Sequence, residues 1–379
     1  MVDRVIPSSL AGGADGKALD GAILALRRGE PVLLLGTGEA QLALAAEFVS
    51  DDRLARLRAV AERPLRMVLT RRRAVALGLA QLEALPGALS GAVSLELATE
   101  LSAEVIRNLA DPAASLGVAP PGLGAAPMAA AGGELAAVAL AKLAALLPAA
   151  LVLPLAPAEA ALARRRTDIA VVDSEEVLSR RAAVAGLHQV VEARVPLADA
   201  EDARLIAFRP ADGGSEHLAI LIGAPDPAAP VLVRLHSACF TGDVLSSLRC
   251  DCGEQLRGAI AAIAAAGGGA LLYLAQEGRG IGLVNKLRAY RLQDSGFDTV
   301  DANEQLGFDA DERVYLPAAE MLRQLGFRMI RLLTNNPDKV AALERYGIRI
   351  AERVPHVFPA NGHNEHYLRT KATRSGHLL

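Results

Sequence analysis

The chain has 379 residues, with 40 Lys and Arg against 43 Asp and Glu and a formal net charge of −3. That balance provides no polycationic field, so composition excludes an electrostatic case for a nucleic-acid partner. The length suits two or three domains. The most apolar run, residues 135–155, is interrupted by Lys142 and Pro148 and reads as a helix and a buried strand rather than a membrane span. The opening Met-Val-Asp-Arg-Val-Ile-Pro lacks the n-region and h-region of a signal peptide, and reduced thiols without an export signal imply a cytoplasmic protein.

Residues 1–20 read as a loose lead-in. Apolar spacing predicts a helix over 20–28, stopped by Glu30-Pro31, then a strand over 31–35. Gly36-Thr-Gly38 follows, with a helix expected over 40–49. A strand, Gly-x-Gly and a helix suggest a dinucleotide fold, but the third glycine is absent and an ordinary tight turn is the better reading. Strands at 65–69 and 92–97 alternate with helices at 71–79 and 102–109, the latter opened by Ser102. A Gly, Pro and Ala-rich loop over 116–133, a helix over 135–146 and a strand over 149–153 complete an α/β unit. Arg71-Arg72-Arg73 reads as a solvated helix face. This half carries no cluster of histidines and carboxylates, no nucleophile beside a base and no phosphate loop. Residues 156–193, with charge runs at 164–166, 175–176 and 180–181, read as the domain edge and linker.

The second half opens with strands at 203–208 and 218–222. A strand over 231–235 runs into a segment holding all three cysteines, Cys239, Cys250 and Cys252. Three thiols within fourteen positions are neither scattered core hydrophobes nor paired disulfides. They suit a catalytic zinc with three thiolates and an open fourth position. A structural zinc with His236 as fourth ligand, and a metal-free cluster, are the competing readings. Helices are predicted over 254–264 and 284–293, around a buried strand at 270–275. Between strand and helix lies Gln276-Glu277-Gly278-Arg279-Gly280-Ile-Gly282. Its glycines allow close backbone approach, its helix start favours anions, and Arg279 offers a forked phosphate donor. A helix opened by Phe308-Asp-Ala-Asp311-Glu-Arg313-Val-Tyr-Leu is expected to run through Leu325, then a strand over 329–333. Thr334-Asn-Asn-Pro337-Asp-Lys339 forms a second anion-facing helix start, and a strand over 348–354 follows. Zinc-activated water acting on a polyphosphate-bearing substrate is the reading that joins these pieces. His363 and His366 read as surface or packing histidines, and 374–379 as a mobile tail.

These residues resemble a known family. Arg234-Leu-His-Ser-Ala-Cys239-Phe-Thr-Gly-Asp, Leu248-Arg-Cys250-Asp-Cys252-Gly, Gln276-Glu-Gly-Arg-Gly-Ile-Gly-Leu283, Asp311-Glu-Arg313, Leu333-Thr-Asn-Asn-Pro337 and Asn364-Glu-His-Tyr-Leu-Arg-Thr-Lys371 are similar, in order, to GTP cyclohydrolase II. The front half resembles 3,4-dihydroxy-2-butanone 4-phosphate synthase through Ala43-Leu-Ala-Ala-Glu47-Phe-Val-Ser and Leu101-Ser-Ala-Glu-Val-Ile-Arg-Asn-Leu-Ala-Asp111-Pro. The acidic loop of that synthase is reduced here to one carboxylate, Glu39, and its Gly-His-Thr-Glu segment is Gly132-Gly133-Glu134-Leu135, without the histidine. The resemblance implies a mixed α/β chain of two domains, each a mixed sheet with flanking helices. Residues 1–185 would be a degenerate synthase-like domain, without that activity, and 186–379 the cyclohydrolase domain.

The resemblance further implies that GTP is opened at C8 of its imidazole ring, with release of formate and pyrophosphate, as the first step of riboflavin biosynthesis. Zinc would sit on Cys239, Cys250 and Cys252, with Mg2+ accompanying the triphosphate. Tyr290 would be the polar partner near the ring and Asp311 the general base. Arg313 would be either the nucleophile at the α-phosphate or, more mildly, its charge stabiliser. GTP would be held by Arg234, Leu235, His236, Ser237, Ala238, Gln255, Glu277, Gly278, Arg279, Thr299, Thr334 and Lys339. Ala238 stands where the family carries Glu. A homodimer is implied, with no nucleic-acid or membrane partner. A nucleotide-binding pseudoenzyme and a relative acting on another nucleotide or pyrimidine are the alternative readings.

Overall fold

The computed structural model describes residues 16–79, 82, 91–114, 127–180, 186–359, 362, 364, 369, 370, 373 and 374. The expected lead-in before residue 16, most of the 116–133 loop, His363, His366 and the tail beyond 374 lie outside them. The chain forms two compact units, residues 1–183 with 305–307 and residues 184–304 with 308–379. Both are mixed α/β, each a sheet of parallel and antiparallel strands with flanking helices. No helix among the described residues is long and apolar enough to cross a membrane.

The first unit contains strands β1 Val32–Leu35, β2 Gln41–Ala45, β3 Arg66–Thr70, β4 Ala92–Glu96, β5 Met128–Ala129, β6 Ala149–Pro154 and β7 Ala170–Asp173. They lie in the order β5-β4-β3-β6-β2-β1-β7. Leu and Ala side chains from helices Lys17–Arg27 and Gly133–Leu143 cover one face, with Val32, Leu34, Ala43, Ala45, Val68, Ala150 and Val152 beneath them. Ser50 and Ser102 cap helices Asp51–Arg58 and Ala103–Ala110 by accepting from Arg53 N and Val105 N.

Three expectations for this half are corrected. Residues 40–49 are not a helix: Gln41–Ala45 pairs antiparallel with β1, Val32 opposite Ala43, and with β6, Ala45 opposite Ala150. Alternating Leu and Ala fit either period, and two flanking strands decide for the sheet. Gly36-Thr-Gly38 thus lies in the connection of an antiparallel pair and opens no helix. Residues 157–180 are not linker, since helix Pro157–Arg164, β7 and helix Ser174–Arg180 belong to this unit, with β7 parallel to β1. Arg73 is not solvated. It is 2% exposed, and its guanidinium donates to the carbonyls of Leu109 (2.8 Å) and Asn108 (3.4 Å).

The second unit contains β8 Leu187–Arg194, β9 Arg204–Pro210, β10 His217–Gly223, β11 Val231–Ser237, β12 Gly268–Leu274, β13 Met329–Leu333 and β14 Arg349–Val354, in the order β14-β13-β11-β12-β10-β9-β8. The neighbours β13, β11 and β12 run parallel, so their carboxyl ends open on the same edge of the sheet. Alternation along β11 divides its side chains between two cores. Val231, Val233 and Leu235 pack with helices Leu316–Gln324 and Pro337–Arg345, while Leu232 packs with helix Cys252–Ala265. Here one expected helix is corrected: residues 308–315 are not helical, and the helix begins at Leu316, where Pro317 in the first turn suits its start.

Candidate active site

Three loops leave the carboxyl ends of β11, β12 and β13, the edge at which open α/β sheets place their ligands. From β11 comes Cys239, followed by a wide helical turn over Phe240–Val244. Cys250 lies in the connection after it, and Cys252 opens helix Cys252–Ala265. The three Sγ atoms lie within 4.8 Å of one another, with Cys239 Sγ 3.7 Å from Cys250 Sγ. Glycine is required between them: a Cβ on Gly242 would meet Cys250 Sγ at 2.8 Å, Cys252 Cβ at 2.9 Å and Cys239 Sγ at 3.1 Å. Gly242 N also donates to Cys239 Sγ at 3.4 Å. Hydrogen bonds from the other two thiols, and then the Lys286 ammonium, hold the Cys239 thiol well below its usual range. The Cys239 thiolate in turn pushes Cys250 up to about 11. A soft donor set of three converging sulfurs suits a thiophilic divalent ion such as zinc.

His236 does not join the sulfurs. Its Nε2 lies 3.0 Å from Asp243 Oδ1. Asp243 Oδ2 also accepts from Cys239 N at 2.9 Å and from the Tyr273 hydroxyl at 3.0 Å. This buried carboxylate therefore fixes the first cysteine from behind, and burial keeps His236 below its usual value despite the carboxylate. The fourth-ligand reading of His236 is corrected.

Beside the sulfurs opens a cleft. Among its lining residues are Arg234, His236, Ser237, Ala238, Gln255, Glu277, Gly278, Arg279, Tyr290, Thr299, Arg313, Thr334 and Lys339, together with all three cysteines. Leu235 does not line it, because strand alternation turns its side chain into the opposite core; its carbonyl accepts from Lys339 Nζ at 2.9 Å. Asp311 is not among the lining residues and pairs with Arg313, which is, Oδ1 to Nε at 2.8 Å. The β12 loop turns through Gly278 and Arg279, both left-handed at φ 64° and 60°. The β13 loop is tied by Thr334 Oγ1, which accepts from Asn336 N at 3.0 Å, and by Asn336 Oδ1, which accepts from Asp338 N at 2.9 Å. Arg234 donates to the carbonyl of Leu333 at 3.0 Å and to Gln255 Oε1, and burial lowers it to about 10.

The sequence reading did not single out Asp243, Arg249, Lys286, Asn303, Asn335 or Asn336. Five of the six line the cleft, and Asp243 backs it. The Arg249 guanidinium lies 4.9 Å from the Tyr290 ring centroid. One signal was available, since Lys286 and Tyr290 are four apart and share a face of helix Leu283–Asp294.

Together, fold and site define a class: an α/β protein with three converging cysteine sulfurs that could hold a metal ion, beside a cleft lined by Arg234, Arg279, Arg313 and Lys339. A family model for GTP cyclohydrolase II matches residues 188–355. A GTP cyclohydrolase-2 of Azospirillum brasilense is 55% identical over 368 residues, 96% of this chain and 94% of its own. The riboflavin biosynthesis protein RibBA of Bacillus velezensis is 59% identical over 167 residues, 44% of this chain and 42% of its own. A solved 3,4-dihydroxy-2-butanone 4-phosphate synthase in its cation-free form covers 43% of this chain and 96% of its own, at 23% identity and a TM-score of 0.35. The chain belongs to the GTP cyclohydrolase II family of hydrolases.

Proposed function

We propose that the chain hydrolyses GTP, opening the imidazole ring and releasing formate and pyrophosphate. The product is 2,5-diamino-6-hydroxy-4-(5-phosphoribosylamino)pyrimidine, at the first step of riboflavin biosynthesis. The observation that carries this reading is the convergence of three sulfurs at one side of a cleft that Arg234, Arg279, Arg313 and Lys339 also line. Zinc held by Cys239, Cys250 and Cys252 would supply Lewis acidity and a water whose pKa falls toward ~7.

The protein's own groups do the rest. Arg279, Arg313 and Lys339 hold the triphosphate, with Mg2+ accompanying it, and Arg313 offers a planar fork to the phosphate that departs. Ser237, Gln255, Thr299 and Thr334 supply neutral hydrogen bonds along the substrate. Tyr290, raised by burial and so kept protonated, presents an O–H donor beside the sulfurs. Asp311 orients Arg313 and accepts a proton when the phosphate bond is broken.

The first domain, in this reading, keeps a synthase-like fold without its chemistry. Two of its carboxylates are engaged: Glu39 with Arg63 at 2.8 Å, and Glu134 with Ser94 at 2.8 Å and Arg66 at 3.0 Å. The protein would work in the cytoplasm as a homodimer. Mass spectrometry of GTP after incubation with the zinc-loaded protein and magnesium tests the proposal. The diaminopyrimidine nucleotide is expected, and GTP recovered intact would overturn it.

A further inference from the structure

Lys286 lies in the first turn of helix Leu283–Asp294 and is 8% exposed. That is a poor place for a cation on two counts. The start of a helix carries partial positive charge, and burial strips water from the ammonium. Three acceptors compensate: Glu277 Oε1 at 2.8 Å, Thr241 Oγ1 at 2.9 Å and Cys239 Sγ at 3.1 Å. These partners are themselves fixed. Glu277 Oε2 accepts from Phe240 N at 2.6 Å, and Thr241 Oγ1 lies 3.3 Å from the Tyr290 hydroxyl. One ammonium therefore ties the cysteine turn, the glycine-rich loop and the tyrosine helix to each other.

Charge adds a second reason. A divalent ion on three thiolates leaves a net charge of one minus, buried beside the cleft, with the Glu277 carboxylate next to it, and the Lys286 ammonium set between sulfur and carboxylate offsets one of these charges. We propose that Lys286 is a positioning residue of the metal centre. It anchors the Cys239 sulfur, and the turn that carries it, to the Tyr290 helix, and offsets part of the negative charge of the loaded centre. The inference rests on reading Cys239, Cys250 and Cys252 as the zinc ligands. A salt bridge serving only the fold would explain the contact with Glu277, but not the choice of a thiolate as a further acceptor.

The test is a zinc titration of the full chain against a chromophoric chelator, for the wild type, Lys286→Met and Lys286→Arg, with the thiolate-to-metal absorption of the cobalt-substituted proteins read alongside. Lys286→Met keeps the stem and removes the charge. It is expected to lose zinc affinity by ~10–100-fold and to shift the cobalt band, with Lys286→Arg recovering part of both. Equal zinc affinity and an unchanged cobalt band in Lys286→Met would overturn the proposal. If Lys286→Met does not fold, Lys286→Gln carries the same comparison with a neutral donor. A wild type that binds no zinc would fail differently, removing the ligand assignment itself and the inference with it.

Discussion

Both carboxylate oxygens of Asp311 face the guanidinium of Arg313, Oδ1 at 2.8 Å from Nε and Oδ2 at 2.5 Å from the terminal NH2 nitrogen. Burial would raise the acid, but the guanidinium prevails and holds it below the ordinary carboxylate range. A carboxylate with a depressed folded pKa contributes its stabilisation fully above its unfolded value of ~3.9 and loses it only as pH falls through the folded value. Asp311→Asn is therefore expected to lower kcat by ~10²-fold or more while leaving the shape of the pH–rate profile above about pH 5 intact. Loss of a limb near neutrality in that variant would contradict the pairing.

Arg313→Lys keeps a positive charge but lacks the planar fork that engages Asp311. Pyrophosphate release from GTP should fall by ~10²–10³-fold, the scale expected when an aimed charge-stabilising donor is lost. Nucleotide affinity, measured by equilibrium binding, should change far less. A variant with near wild-type pyrophosphate release would show that a point charge suffices.

Gly242→Ala places a methyl group against all three cysteines, the nearest contact being 2.8 Å from Cys250 Sγ. Overpacking of this kind costs ~1–3 kcal/mol, here at the sulfurs themselves. Zinc content after purification should drop sharply, while the far-ultraviolet circular dichroism is retained. A fully loaded Gly242→Ala protein would mean that the sulfurs have more room than their spacing indicates.

In the first domain, Glu134 is buried and bonded to Ser94 and Arg66, and the loop after β1 offers the single carboxylate Glu39. Abstraction of a proton beside a carbonyl needs a placed base, and a hard metal needs several oxygen ligands. Incubation with ribulose 5-phosphate and magnesium is expected to yield no butanone phosphate. Turnover would contradict the reading of this domain.

The clustering of Cys239, Cys250 and Cys252 was legible because such spacing has few other uses, and the place of Arg279 and Lys339 on the cleft because a glycine-rich loop and a capped helix start follow two of the strands. Leu235 was misplaced on the cleft, although the period of two along β11 already sends it to the opposite face from Arg234 and His236. Lys286 and Asp243 were invisible for a different reason. A lysine in a helix and an aspartate in a turn are ordinary until the fold buries them against sulfur and against the Cys239 amide. The strand at Gln41–Ala45 shows the same limit, since Leu and Ala there satisfy either period until β1 and β6 flank them. Arg73 looked solvated within its charge run because sequence does not show the carbonyls of Leu109 and Asn108 waiting for it.

The most direct measurement is the separate assay of formate and pyrophosphate from GTP, using the zinc-loaded protein with magnesium, before and after chelation. The account predicts equal amounts of both products, with formate lost on chelation and restored by zinc. Pyrophosphate without formate from the loaded protein would contradict it, because the cationic side of the cleft would then act while the three sulfurs serve no ring-opening step.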